Sequence, residues 1–290
     1  MERIRENRFD IAGERFSTLA EMYRVCEGRE LNAHYDDDNG AMGAYEVRSG
    51  LRYGWEQTKH DIMYGSQVFD EDFAKIEKEV THDVEEYMRD YQKPGTRKDV
   101  VGQSVLVERA MVGHPKAFNR RVVERRKQKT VHFLYNVTCR WGTTVEERLK
   151  SGCILMAVAA TMERMGYQTA ITFAPYFSYE KKGEPSLLAE VQIKDYRTRF
   201  NKKKIQFPLA SRSVLFQLGC WWMHRTPEGR SDWGCGEGRS VDYDGKRLEQ
   251  AKAYAKSKRA IYLSTPMMVD KLDLNVSKVF DYVFEELKEM

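Results

Sequence analysis

The sequence predicts an α/β fold, a doubly wound and mainly parallel sheet over residues 100–290 behind a helical, acidic N-terminal region over residues 1–99. Three observations lead there. From Thr130 onward, short β-branched and aromatic runs alternate with longer segments of helical period. Residues 69–90 carry nine acids against three bases, with apolar residues at steps of four and three. From Asn275 onward, Val276, Val279, Phe280, Val283, Phe284 and Leu287 recur on one helical face.

In chain order, the acidic helix comes first, its apolar stripe made of Phe69, Phe73, Ile76, Val80, Val84 and Tyr87. Pro94 and Gly95 close it, and residues 116–129 then reverse the sign with seven bases to one acid, so the boundary between the two parts falls between 94 and 130. VHFLYNV, residues 131–137, has the length and composition of a buried strand. Thr144 with Glu147 three residues later is a capping-box signature. It opens a helix running to Met165, with Leu149, Cys153, Met156, Ala157 and Ala160 on one stripe and Gly166 past its end. Tyr167 begins a second strand, and LLAEVQIKDY, residues 187–196, forms a third after a Lys-Lys-Gly turn. A basic stretch over 197–204 precedes a helix predicted over 211–224; a polar helix over 247–256, the strand AIYL over 260–263 and the last helix complete the chain. Helical crossovers between strands imply parallel pairing with both faces covered.

Composition narrows the function classes. With 290 residues, 32% charged, 41% hydrophobic and a formal net charge of +4, the chain has a globular composition and no overall charge excess of the kind that drives non-specific duplex binding. No apolar run approaches the roughly 20 residues of a membrane span, and MERIRENRFD lacks the apolar core of a secretory signal, so a cytoplasmic protein without a membrane partner is expected. Cys26, Cys139, Cys153, Cys220 and Cys235 are odd in number and scattered, which predicts reduced thiols and no disulfide framework.

In an open parallel sheet, ligands bind beyond the carboxyl ends of the strands, so the turn after VHFLYNV is the first candidate site. It reads Asn136, Val137, Thr138, Cys139, Arg140, Trp141, Gly142. A strand, a turn of this spacing and a long helix ending in Gly-Tyr before a second strand resemble the von Willebrand factor A fold, whose Asp-x-Ser-x-Ser turn holds a divalent metal. GQSVLVERAMVGHP, residues 102–115, is similar to the segment preceding such a domain in a family of phage and prophage proteins. The resemblance spans residues 50–240 and implies a von Willebrand A-like domain in a phage-encoded protein. It would bind and block a host complex in the host cytoplasm, for instance a Gabija-type nuclease-helicase system. The turn departs from the metal-binding pattern: Asn136 replaces the acid, Thr138 the first hydroxyl and Arg140 the second, so the expectation is a degenerate turn that keeps the fold without a metal.

Other constellations have two readings each. Cys220 and His224 share a helix face at i and i+4, with Cys235 further on, a partial zinc set that reads equally as a buried thiol in LGCWW. Cys139 as a nucleophile would need a base, with His132 about two dozen Å along an extended strand. The glycine-rich residues 232–239 neither follow a strand nor open a helix, and Asp36, Asp37 and Asp38 sit in a polar turn. The basic segments carry most weight: Arg120, Arg121, Arg125, Arg126 and Lys127, then Arg197, Arg199, Lys202, Lys203 and Lys204. They suit an acidic protein surface, or phosphates with Phe200 or Trp221 stacking on bases. The expectation is a non-enzymatic, cofactor-free protein-binding protein. A nucleic-acid-binding accessory of phage replication or packaging is the alternative, and a metal-dependent hydrolase the third reading. Segregated charge also predicts a homo-oligomer.

Overall fold

Two strands open the chain, β1 (Glu2–Glu6) and β2 (Ile11–Phe16), followed by α1 (Leu19–Glu27). The computed structural model describes residues 1–29, 45–48, 51–91, 96–99, 104–105, 107–112, 118–121, 129–139, 143–178, 185–198, 201–211, 214–226, 239–240, 245–265 and 272–290. β3 (Tyr45–Arg48) and β4 (Leu51–Tyr53) pair with each other, ahead of α2 (Trp55–Tyr64) and the acidic α3 (Asp70–Tyr91). β5 (Thr96–Asp99), β6 (Ser104–Val105), α4 (Val107–Met111) and β7 (Phe118–Arg121) follow, the strands forming a small sheet in the order β5-β7-β6. The next stretch holds β8 (Lys129–Asn136), α5 (Val145–Arg164), β9 (Tyr167–Ala174), β10 (Tyr176–Ser178) and β11 (Ser186–Lys194). α6 (Lys202–Ala210), α7 (Cys220–Met223), β12 (Arg239–Ser240), α8 (Gly245–Ser257), β13 (Ala260–Ser264) and α9 (Val276–Glu289) end the chain.

The main sheet runs β1-β2-β11-β9-β8-β13, with β10 and β12 stepping off β11. β8 pairs parallel with β9 and with β13, and β2 pairs parallel with β11, so the fold is mixed α/β with a mostly parallel centre. Along the β1-to-β13 path two junctions are antiparallel, β11 with β9 and β1 with β2, and the side strand β10 pairs antiparallel with both β11 and β12. The first follows from the connection: after β10 only residues 179–185 lead into β11, too few for the crossover helix that parallel pairing requires. The second extends the sheet into the first sixteen residues, which the sequence reading left in the helical N-terminal part. The cause is composition, since β1 buries only Ile4 among charged neighbours and shows no alternation to detect.

α5 is the central helix of one face. Thr144 caps it as expected, accepting from the Glu147 N–H while the Glu147 carboxylate accepts from the Thr144 N–H at 2.7 Å. Gly166 beyond its end has φ +91°, a left-handed position that excuses it from any Cβ strain. Phe73, Val80 and Val84 of α3 bury against the cluster that contains Ile154, Leu155 and Val158, so the acidic helix is a cover on α5. α6 and α9 join the same layer, while among the described α-helices α8 packs Ala251, Tyr254 and Ala255 against Leu134, Leu188 and Tyr262 on the opposite face.

The helix predicted over 211–224 is displaced and divided. α6 starts at Lys202, capped by the Asn201 side chain, so the end of the basic stretch, Lys202 to Lys204, is a first helical turn; Val214–Gly219 then winds as a π-helix into the short α7. Pro208 inside α6 hides this helix from a sequence reading, because proline argues against helix wherever an N–H is required.

Candidate functional site

β8 is the point where the sheet reverses its build direction. The chain leaves β8 through α5 to β9 on one side, and β13 later adds on the other, so the carboxyl ends of β8 and β13 flank the crevice in which ligands of such sheets sit. Asn136 and Thr138 stand there, 0% and 1% exposed. Asn136 Oδ1 accepts from the Thr138 N–H at 3.0 Å and lies 2.6 Å from the Thr138 hydroxyl, while Asn136 Nδ2 donates to the Tyr262 hydroxyl at 2.9 Å. The Thr138 hydroxyl also lies 2.7 Å from the Tyr176 carbonyl and, with one proton, donates to one oxygen at a time. The Asn136 and Thr138 side chains are therefore hydrogen-bonded within the protein; Arg140 lies outside the described residues. Among the described residues no three His, Cys, Asp or Glu side chains gather as metal ligands.

Tyr135 faces the other side of β8. Burial pushes its phenol well above the ordinary tyrosine value, with the Thr265 and Ser151 hydroxyls close enough to oppose the shift. Neither contact has hydrogen-bond geometry, so Tyr135 Oη and Thr265 Oγ1 are buried without a hydrogen bond to any described residue. Arg148, on the first turns of α5, donates to Cys139 Sγ at 3.4 Å. This guanidinium, 4% exposed, was missed by the sequence reading. A charged residue near the start of a helix that opens Val-Glu-Glu-Arg looks solvated, and only the packing of α5 buries it.

The remaining candidates disperse. Arg120 and Arg121 lie on β7 of the small sheet, opposite Arg97 and Thr96. Arg125, Arg126, Lys127, Arg199 and Phe200 lie outside the described residues, as do Cys235, Asp36, Asp37, Asp38 and residues 232–238. Arg197 is exposed in the turn after β11, and Lys202, Lys203 and Lys204 form the first turn of α6. Three cations at a helix N-terminus oppose the helix dipole. Lys202 offsets part of this by pairing with Glu77 of α3 at 2.6 Å, which leaves Lys203 and Lys204 exposed beside an acidic helix. Trp221 is 4% exposed and packed between Tyr23 and Trp55, with ring centroids 5.5 and 4.6 Å away, which removes it as a base-stacking platform. Cys220 and His224 are both buried beside this aromatic group. His132 Nε2 bonds the Thr172 hydroxyl at 2.8 Å, and the β8 register places it four residues before Asn136, away from Cys139.

Ion pairs on two buried strand carboxylates were also invisible in the sequence. Glu14 of β2, 0% exposed, takes both Arg29 guanidinium nitrogens at 2.7 Å and the Trp222 indole N–H at 2.9 Å. Glu190 of β11 takes Arg15 at 2.6 Å and the Tyr254 hydroxyl at 2.7 Å. Each carboxylate also ties its strand to a distant helix, Glu14 through Trp222 of α7 and Glu190 through Tyr254 of α8.

A family model described as a domain of unknown function (DUF7192) matches residues 11–282. No curated protein matches the chain, and no solved structure matches it.

Proposed function

This chain belongs to the DUF7192 family, and from its own geometry we propose that it is a non-catalytic protein-binding protein. The observation that carries this reading is the 2.6 Å pair between Lys202 and Glu77. The densest described basic segment is mixed with acid: Lys202 pairs with Glu77 of α3, and Lys203 and Lys204 are exposed on the same helical turn. A surface of both signs suits a partner of patterned charge; polyphosphate would be repelled by half of it. The hydrogen-bonded side chains of Asn136 and Thr138 support a binding reading over hydrolysis at that position. The strand, turn and helix of β8 and α5 support the finer fold reading, a von Willebrand A-like domain. That a host complex is the partner, blocked by a phage-encoded inhibitor, rests on the resemblance alone.

Affinity capture from infected cells with wild type and with Lys203→Glu plus Lys204→Glu tests the proposal. One protein retained by wild type through nuclease treatment and lost from the double variant is the expected result. Capture that nuclease abolishes transfers the function to nucleic acid.

A further inference from the structure

α3 and α5 do not close completely on each other. Between them lies a cavity of about 160 Å³, open on one side, whose apolar wall is made of Phe73, Val80 and Val84 of α3 and Met156, Ala157 and Ala160 of α5. The two alanines are the smallest of these side chains and leave the gap. An apolar void of about 150 Å³ is enough to take up benzene, so this one has room for a side chain the size of leucine's or phenylalanine's. The same lining carries polar groups without partners. Thr161 is 4% exposed, and its hydroxyl makes no hydrogen bond among the described residues. Arg164 and Glu85 also line the cavity, are exposed, and make no ion pair among the described residues. Glu77 and Lys202, the other charges of the lining, are spent on each other at 2.6 Å. Thr161 and Arg164 are three residues apart on α5 and so share a face. Water would satisfy the hydroxyl but gain nothing from the apolar wall, which favours a ligand with an apolar body and a charged head.

We propose that the cavity between α3 and α5 binds an α-amino acid with an apolar side chain. The side chain lies against Ala157 and Ala160, the carboxylate accepts from the Thr161 hydroxyl and the Arg164 guanidinium, and the ammonium donates to Glu85. A zwitterion matches one unpaired charge of each sign; a fatty acid would leave Glu85 unmatched, and an aliphatic amine would leave Arg164 so. Neither Lys203 nor Lys204 takes part, so the site stands or falls independently of the protein-binding proposal.

The full chain is titrated calorimetrically with leucine, phenylalanine and glycine. It is also titrated with 4-methylpentanoate and 3-methylbutylamine, which keep the leucine side chain and lack one charged group each. Leucine or phenylalanine is expected to bind once per chain and to raise the thermal midpoint. Glycine should do neither, and the two half-ligands should bind several-fold more weakly than leucine. Arg164→Gln and Glu85→Gln change exposed positions and leave the fold in place; each is expected to weaken leucine binding several-fold. Ala157→Leu fills the cavity and is expected to abolish binding. No binding of either apolar amino acid at millimolar concentration overturns the proposal. So does binding that is unchanged when Arg164→Gln and Glu85→Gln are combined, or 4-methylpentanoate that binds as tightly as leucine.

Discussion

His132 is held inside the sheet by its 2.8 Å bond to Thr172, and burial lowers its pKa below the ordinary histidine value, with Glu190 opposing the shift and Arg15 adding to it. A lowered folded-state pKa means that the unfolded chain takes up the proton first. Stability present at neutral pH is therefore lost as pH falls through the unfolded value of about 6.5 toward the lower folded one. Urea midpoints at about pH 7.5 and 5.5 should show a smaller drop in His132→Gln than in wild type, and equal drops would contradict the assignment. The cysteines give a second expectation at this scale. Burial pushes the Cys26 thiol up to about 12 and Cys153 also upward, and Cys220 is buried, while Cys139 is half-buried. Peptide mapping of the native chain should find Cys139 alkylated ahead of those three, and the denatured, unreduced chain should titrate five thiols, the full complement of the sequence; a count of three or one would reveal disulfides. Asn136 and Thr138 were legible as a site because spacing after a strand is a local signal. Arg148 and Glu14 were not, because whether a charge is buried is decided by elements distant in sequence.

Among the elements, α5 follows the strand that opens the crevice, and the β2–β11 junction holds the other side of the sheet. Thr144→Ala removes the acceptor that caps the Glu147 N–H and should cost about 1 kcal/mol in chemical denaturation, with Thr144→Ser restoring most of it. Gly13 is the tighter constraint. A Cβ there would lie 1.8 Å from the Leu188 carbonyl oxygen, so Gly13→Ala must push β2 off β11 and should leave little folded protein by circular dichroism. Gly245→Ala, with open space around the Cβ at the start of α8, should be neutral or stabilising by at most about 1 kcal/mol. A stable Gly13→Ala variant would place β2 outside the sheet. The long elements were legible because their periodicity is strong: α3, α5 and α9 lie where the apolar steps put them. β1, β2 and α6 were not, since charged short strands and an internal proline erase the pattern that longer elements show.

At the scale of the whole molecule, opposite charges meet within one chain, Glu77 with Lys202 and Lys256 with Glu289 at 2.7 Å. Glu79, Asp83 and Glu86 stay exposed on α3 and Lys203 and Lys204 on α6, and through these the charge layout proposes self-association. Sedimentation at low ionic strength is expected to show a dimer that high salt dissociates; a monomer at micromolar concentration in low salt removes the idea. No described helix is long and apolar enough to cross a membrane. The central claim is that the basic segments meet a protein surface and not phosphate, and titration of a labelled random-sequence duplex at several salt concentrations tests it most directly. The account predicts no saturable binding at physiological ionic strength, and no difference when Lys202, Lys203 and Lys204 are all replaced by alanine. Tight binding would contradict it if the affinity falls with salt at about 0.9 per phosphate contact and the triple substitution flattens that slope.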